Sequence, residues 1–159
     1  MSVTIKTPEE IEKMRVAGRL GSEVLDYITP FVKPGISTGE LDKLCHDYIV
    51  NELQVTPANV GYLGYPKTVC TSVNHVICHG IPSPGQVLKA GDIINIDVAI
   101  IKDGWFGDTS RMYFVGEPSP LARRLVDTTY EAMCAGIAQV RPGATLGDVG
   151  HAIAAVAHR

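Results

Sequence analysis

Ile93-Ile94-Asn95-Ile96-Asp97-Val98-Ala99-Ile100-Ile101-Lys102-Asp103-Gly104-Trp105-Phe106-Gly107-Asp108-Thr109-Ser110 is the stretch on which the architecture of this chain turns. Its first half is a strongly β-prone run of isoleucine and valine. Asp103-Gly104 is the dipeptide of a two-residue hairpin turn. Such a turn sets Lys102 opposite Trp105 and Asp97 opposite Ser110, with Asp108 diagonally beside Asp97 on the same face. The turn accounts for Asp103. A hydrophobic strand has no packing reason to hold Asp97, whereas Asp108, next to Gly107, also suits a bulge or turn. Two carboxylates crowded on one face repel each other unless a proton or a cation lies between them. A divalent metal is the simplest remedy, and its fullest form is a pair of ions roughly 3.5 to 4 Å apart sharing a carboxylate.

Outward from the hairpin, the chain reads as a soluble globular protein with one ordinary core: 159 residues, 45% hydrophobic, formal charge −3. Met1-Ser2-Val3-Thr4-Ile5-Lys6 lacks the apolar stretch of a signal peptide, and the longest apolar run is broken by Asn95 and Asp97. The expectation is therefore a cytoplasmic protein with no membrane span. Cys45, Cys70, Cys78 and Cys134 show no framework spacing and read as reduced thiols, mostly packed in the core. Mild acidity argues against direct nucleic-acid binding.

Two helix-turn-helix units flank the hairpin. In the first, Thr7-Pro8-Glu9-Glu10 opens a helix whose buried face is Ile11, Met14, Ala17, Leu20, Val24 and Ile28, closed by Pro30. Val32-Lys33-Pro34-Gly35 then leads to a second capping box, Ser37 with Glu40, and a helix buried through Leu41, Leu44, Cys45, Tyr48 and Ile49. In the second unit, Leu125, Thr129, Ala132, Met133 and Ile137 form a helical face that leads into Val140-Arg141-Pro142-Gly143-Ala144-Thr145-Leu146-Gly147-Asp148-Val149. Its Val, Pro, Gly and Gly recur from the first unit, and the other positions keep the roles of turn, cap or core contact. The reading is an internal duplication, with a first pseudo-repeat over about 7–116 and a second over 117–159. The second copy then lacks its strands. The expectation is an open sheet edge, an uncovered apolar face and a complementary C-terminal fragment to fill them.

The residues quoted so far, with Thr7-Pro8-Glu9-Glu10-Ile11-Glu12-Lys13-Met14, Gly61-Tyr62-Leu63-Gly64-Tyr65-Pro66-Lys67 and Cys78-His79-Gly80-Ile81-Pro82, resemble the first three-fifths of the bacterial type I methionine aminopeptidases. The resemblance implies an α+β chain of the pita-bread fold, two pseudo-symmetric αβ halves around an antiparallel sheet. It also implies hydrolysis of the first peptide bond of newly made proteins, releasing the initiator methionine, with one or two divalent ions (Co, Mn, Fe, Ni or Zn). Asp97 and Asp108 match the family's metal-binding aspartates. His79 matches the histidine that hydrogen-bonds the substrate at the scissile bond. Tyr62, Tyr65 and Cys70 match the lining of the methionine pocket, where sulfur meets aromatic rings favourably. Asn74 and Val76 match positions whose backbone carbonyls hold a monovalent cation. Leu63 stands where relatives often have His, and Asn59 where some have Cys. The family completes its metal site with one His and two Glu that this sequence does not contain, so the chain alone is expected to be inactive.

From the residues alone, His79 also suits a packed loop, and the tyrosines beside Gly61, Gly64 and Pro66 could simply fill one. Three other readings compete with the methionine enzyme. Proline-directed peptidases share the paired aspartates, a binding module could keep the fold without the chemistry, and a structural zinc site could use Cys70, His75, Cys78 and His79. The zinc site is disfavoured because Cys78 and His79 would point to opposite faces of a strand.

Overall fold

The computed structural model describes residues 3–159, which divide into two compact units at Glu117 and Pro118. The first is built around the hairpin. Helix α1 (Pro8–Ile28) starts at a reciprocal capping box, in which Thr7 N–H donates to Glu10 and Glu10 N–H donates back to Thr7 Oγ1. Pro30 falls in the 3-10 turn Thr29–Phe31 that ends it. Helix α2 (Thr38–Asp47) starts at the Ser37 and Glu40 box and runs on through a π turn, Tyr48–Glu52. Strands β1 (Thr56–Pro57), β2 (Val69–Val73), β3 (Ile93–Lys102) and β4 (Trp105–Phe114) make one antiparallel sheet. β1 and β2 share one edge of β3, and β4 takes the other.

The turn has the backbone its residues call for, with φ of +51° at Asp103 and +83° at Gly104. Lys102 pairs with Trp105, Asp97 with Ser110 and Ala99 with Asp108, as the turn chemistry requires. Pairing runs without a bulge from Ile93 to Phe114. Gly107 is there for another reason: a Cβ on it would sit 2.1 Å from the Ala17 carbonyl oxygen of α1. On that face of the sheet Ile94, Ile96, Val98 and Ile100 are wholly buried and join Val24, Leu25, Ile28, Leu41, Cys45 and Ile49 in the core. α1 rests on β4 from Ala17 onward, and Tyr113 Oη donates to Leu25 O at 2.8 Å. Ile11 and Met14 precede that contact and stay exposed, against the expected face.

The second unit is a pair of helices, α3 (Pro120–Ile137) capped by Ser119 and α4 (Leu146–Ala157) capped by a Thr145 and Asp148 box. They meet where Gly136 lies against Ile153, so closely that a Cβ on Gly136 would come within 2.8 Å of Cγ1. Within these two helices only Ala132, Gly136 and Val156 are buried. Leu125, Met133 and Ile137, expected on a buried face, are exposed. Each unit carries a left-handed glycine two residues before a reciprocally boxed cap: Gly35 (φ +93°) before Ser37, and Gly143 (φ +86°) before Thr145. No helix among the described residues is long and apolar enough to cross a membrane. Cys45 and Cys70 are buried, but Cys78 and Cys134 are exposed, so only half of the thiols pack as the sequence suggested.

Candidate metal and substrate site

The face of the hairpin turned away from the core carries Asn95, Asp97 and Ala99 on β3, Asp108 and Ser110 on β4, and Cys70 and Ser72 on β2, which pair with Asp97 and Asn95. A cavity of about 520 Å³ opens on that face. Asp97 and Asp108 line its floor, with Tyr62, Tyr65, Cys70 and His79 around them. Six of the eight residues singled out from sequence thus surround one space. Asn59 and Leu63 line it too, joined by Ile81 and Ala99. Asn74 and Val76 lie apart, in the turn after β2. Asn74 (φ +52°) accepts from Ile93 N–H through Oδ1 and donates from Nδ2 to Asp92 Oδ1.

Burial holds the Asp97 carboxyl above its ordinary range, and the negative charge of Asp108 adds to that, while the His79 imidazole pulls the other way. No lysine or arginine pairs with either aspartate among the described residues. The donor set therefore suits a divalent cation, whose charge would relieve the repulsion. It fills only part of a coordination shell. Among the described residues no group of three or more His, Cys, Asp or Glu side chains gathers closely enough to hold a metal. The same observation removes the structural zinc reading. Cys78 and His79 lie in a loop rather than on a strand, so the opposite-faces argument does not apply; Cys70, His75, Cys78 and His79 simply do not converge.

The aromatic wall is a tight turn, with positive φ at Gly61, Leu63 and Gly64 and Gly61 N–H donating to Tyr65 O. Tyr62 and Leu63 project outward, while Tyr65 folds in beside Cys70. Burial raises both of their ionisations, most strongly at Tyr65. The wall is fixed by a residue that sequence reading missed. The carboxylate of Asp42, on α2 and buried, accepts from Thr68 N–H (2.8 Å) and Val69 N–H (3.1 Å), with Lys67 3.8 Å away. The His46 ring meets Thr68 Oγ1 at 2.8 Å, and Asn59 Nδ2 donates to Thr68 O. A lone aspartate at the fifth position of a helix resembles any surface charge, and nothing local in sequence marks it as the anchor of β2.

The model of one family, metallopeptidase family M24, matches residues 12–159. The chain belongs to that family. Among M24 relatives it is similar to the methionine aminopeptidase of Escherichia coli strain K12, with 57% identity over 153 residues, 96% of this chain and 58% of that protein. The crystal structure of methionine aminopeptidase from Rickettsia prowazekii superposes with a TM-score of 0.96 at 52% identity, covering 99% of this chain and 62% of that one. The Xaa-Pro dipeptidase of Bacillus anthracis superposes with a TM-score of 0.82 at 21% identity, a likeness of fold alone. The fold is the pita-bread fold of these M24 enzymes, with mixed helices and an antiparallel sheet. The chain spans about three-fifths of the length of the methionine aminopeptidases it matches.

Proposed function

We propose that this M24 chain carries the first part of a methionine aminopeptidase site, which removes the initiator methionine from new proteins in the cytoplasm. The observation that carries the reading is the placing of Asp97 and Asp108 on one face of the hairpin, with no lysine or arginine paired to them among the described residues, on the floor of a cavity walled by Tyr62, Tyr65, Cys70 and His79.

Asp97 and Asp108 would hold one or two divalent ions. A cation bound there supplies Lewis acidity to the scissile carbonyl and acidity to water. His79, at the cavity rim, donates a hydrogen bond to the substrate beside the scissile bond. Tyr62, Tyr65 and Cys70 receive the unbranched methionine side chain, for which a soft aromatic slot is suited. The carbonyls of Asn74 and Val76 are assigned to a monovalent cation that stiffens the turn after β2. Two carboxylates leave most of a coordination shell to water or to groups outside this chain, so the 159 residues alone are expected to bind metal weakly and to turn over no substrate. The 57% identity to the Escherichia coli methionine aminopeptidase, against 21% to the Xaa-Pro dipeptidase, favours methionine over proline-directed substrates.

Calorimetric titration of the chain with Mn(II) tests the assignment. Asp108→Ala is expected to weaken binding at least tenfold, whereas His79→Ala leaves it nearly unchanged. Equal Mn(II) affinity in the Asp97→Ala, Asp108→Ala double variant and in the unmodified chain would remove the metal site, and with it the peptidase reading.

A further inference from the structure

His79 is exposed, and no hydrogen bond holds its ring among the described residues. Both neighbouring residues on its N-terminal side, Ile77 and Cys78, are exposed as well. Its backbone is left-handed, with φ of +56°, a conformation that a non-glycine residue keeps only where its surroundings impose it. The constraint lies one residue on. The peptide groups flanking Gly80 are pinned against β2: Thr71 N–H donates to Gly80 O at 2.8 Å, and Gly80 N–H donates to Ser72 Oγ at 3.2 Å. The approach is so close that a Cβ on Gly80 would fall 2.1 Å from Thr71 O and 3.0 Å from Ser72 Cα. Tyr65 Oη also reaches Gly80 O, at 3.1 Å, but the same hydroxyl is 3.0 Å from Val69 O. It has one proton, so it cannot serve both carbonyls at once.

We infer that Ser72 is a positioning residue for His79: its buried hydroxyl fixes the amide of Gly80 and thereby aims the preceding side chain into the cavity. The inference rests on the reading of His79 as a substrate contact. Ser72 suits this role because it is 4% exposed and belongs to a strand paired along its length with β3, so its oxygen has a fixed place. The N–H of Gly80 is also the amide of the peptide bond joining it to His79. Anchoring that bond on one side and the Gly80 carbonyl on the other leaves His79 little backbone freedom except upstream. Without the Ser72 oxygen, residue 80 keeps one firm contact, from Thr71 N–H, about which the segment can pivot.

The test uses Ser72→Ala and Ser72→Thr in the full 159-residue chain, followed by NMR. In Ser72→Ala, the Gly80 amide is expected to exchange with solvent at least tenfold faster, and the ring signals of His79 to shift and broaden. The amides of β2 that pair with β3 keep their protection. Ser72→Thr, which retains the oxygen, restores both Gly80 and His79. Unchanged Gly80 exchange and His79 signals in Ser72→Ala would overturn the inference. So would a general loss of protection across β2, which marks a merely structural role, or a Ser72→Thr chain behaving like Ser72→Ala. Adding the dipeptide Met-Ala separates this from the parent reading. If it leaves the His79 ring signals of the unmodified chain unmoved while the Ser72 variants behave as described, the substrate role of His79 fails and the clamp stands.

Discussion

Asp97 is disfavoured as a charge on two counts, burial and the neighbouring Asp108 carboxylate. Its ionised form therefore works against folding when no cation is present. Asp97→Asn keeps the shape and removes the charge. The metal-free variant is expected to unfold at a higher temperature than the unmodified chain near neutral pH. Adding Mn(II) should narrow or reverse that difference, because only the carboxylate gains from the ion; differential scanning calorimetry with and without metal checks this. Asp97 was legible in the sequence because an acid inside an isoleucine run has no packing excuse, and Asp108 became so once the turn fixed the register. Ser72 and Asp42 were not. A serine in a strand and an aspartate in a helix are ordinary locally, and their importance comes from partners eight residues and 26 to 27 residues away.

Among the elements, the boxed helix starts make a pH-dependent contribution whose sign can be worked out. Hydrogen bonds from the Ser37 hydroxyl and then the Ser37 backbone N–H hold the Glu40 carboxyl below its ordinary range. A carboxylate depressed in the folded state adds stability above its unfolded pKa and loses it as pH falls through the folded one. Ser37→Ala is expected to cost about 1 kcal/mol near neutral pH, the usual worth of an N-cap, and the difference from the unmodified chain should shrink as pH drops below 4.5, the ordinary Glu value. Urea titrations at several pH values measure it. Caps and the hairpin could be read from sequence because their physics is local, spanning two to four residues. The buried faces could not be read to the same depth: Ile11, Met14, Leu125 and Ile137 keep helical spacing, yet their burial depends on what lies over them.

At the scale of the whole molecule, the seventeen-residue core cluster, from Ala17 to Val115, lies entirely in the first unit. The two helices after Pro118 bury little of their own apolar surface. Protection from hydrogen exchange should follow this division, with the amides of β3 the slowest and those of α3 and α4 opening at much lower free energy. Mass-spectrometric exchange of the intact chain checks it, and equal protection in the two units would contradict the stated burial. The recurring turn-and-cap phrase could be read because it is local. That the first unit would hold nearly all of the core could not, since it depends on which faces find a cover.

The two-residue turn has a kinetic consequence. It places Asp97 and Asp108 only eleven residues apart in sequence, so a transition state in which the hairpin has zipped, an event of microseconds, already brings them together. Their repulsion therefore acts on the climb to the transition state as well as on the finished fold. Asp97→Asn, or Mn(II) present from the start, should speed refolding in stopped-flow experiments while leaving the unfolding limb less affected. A cation held by the two carboxylates would then also act while the chain is still folding.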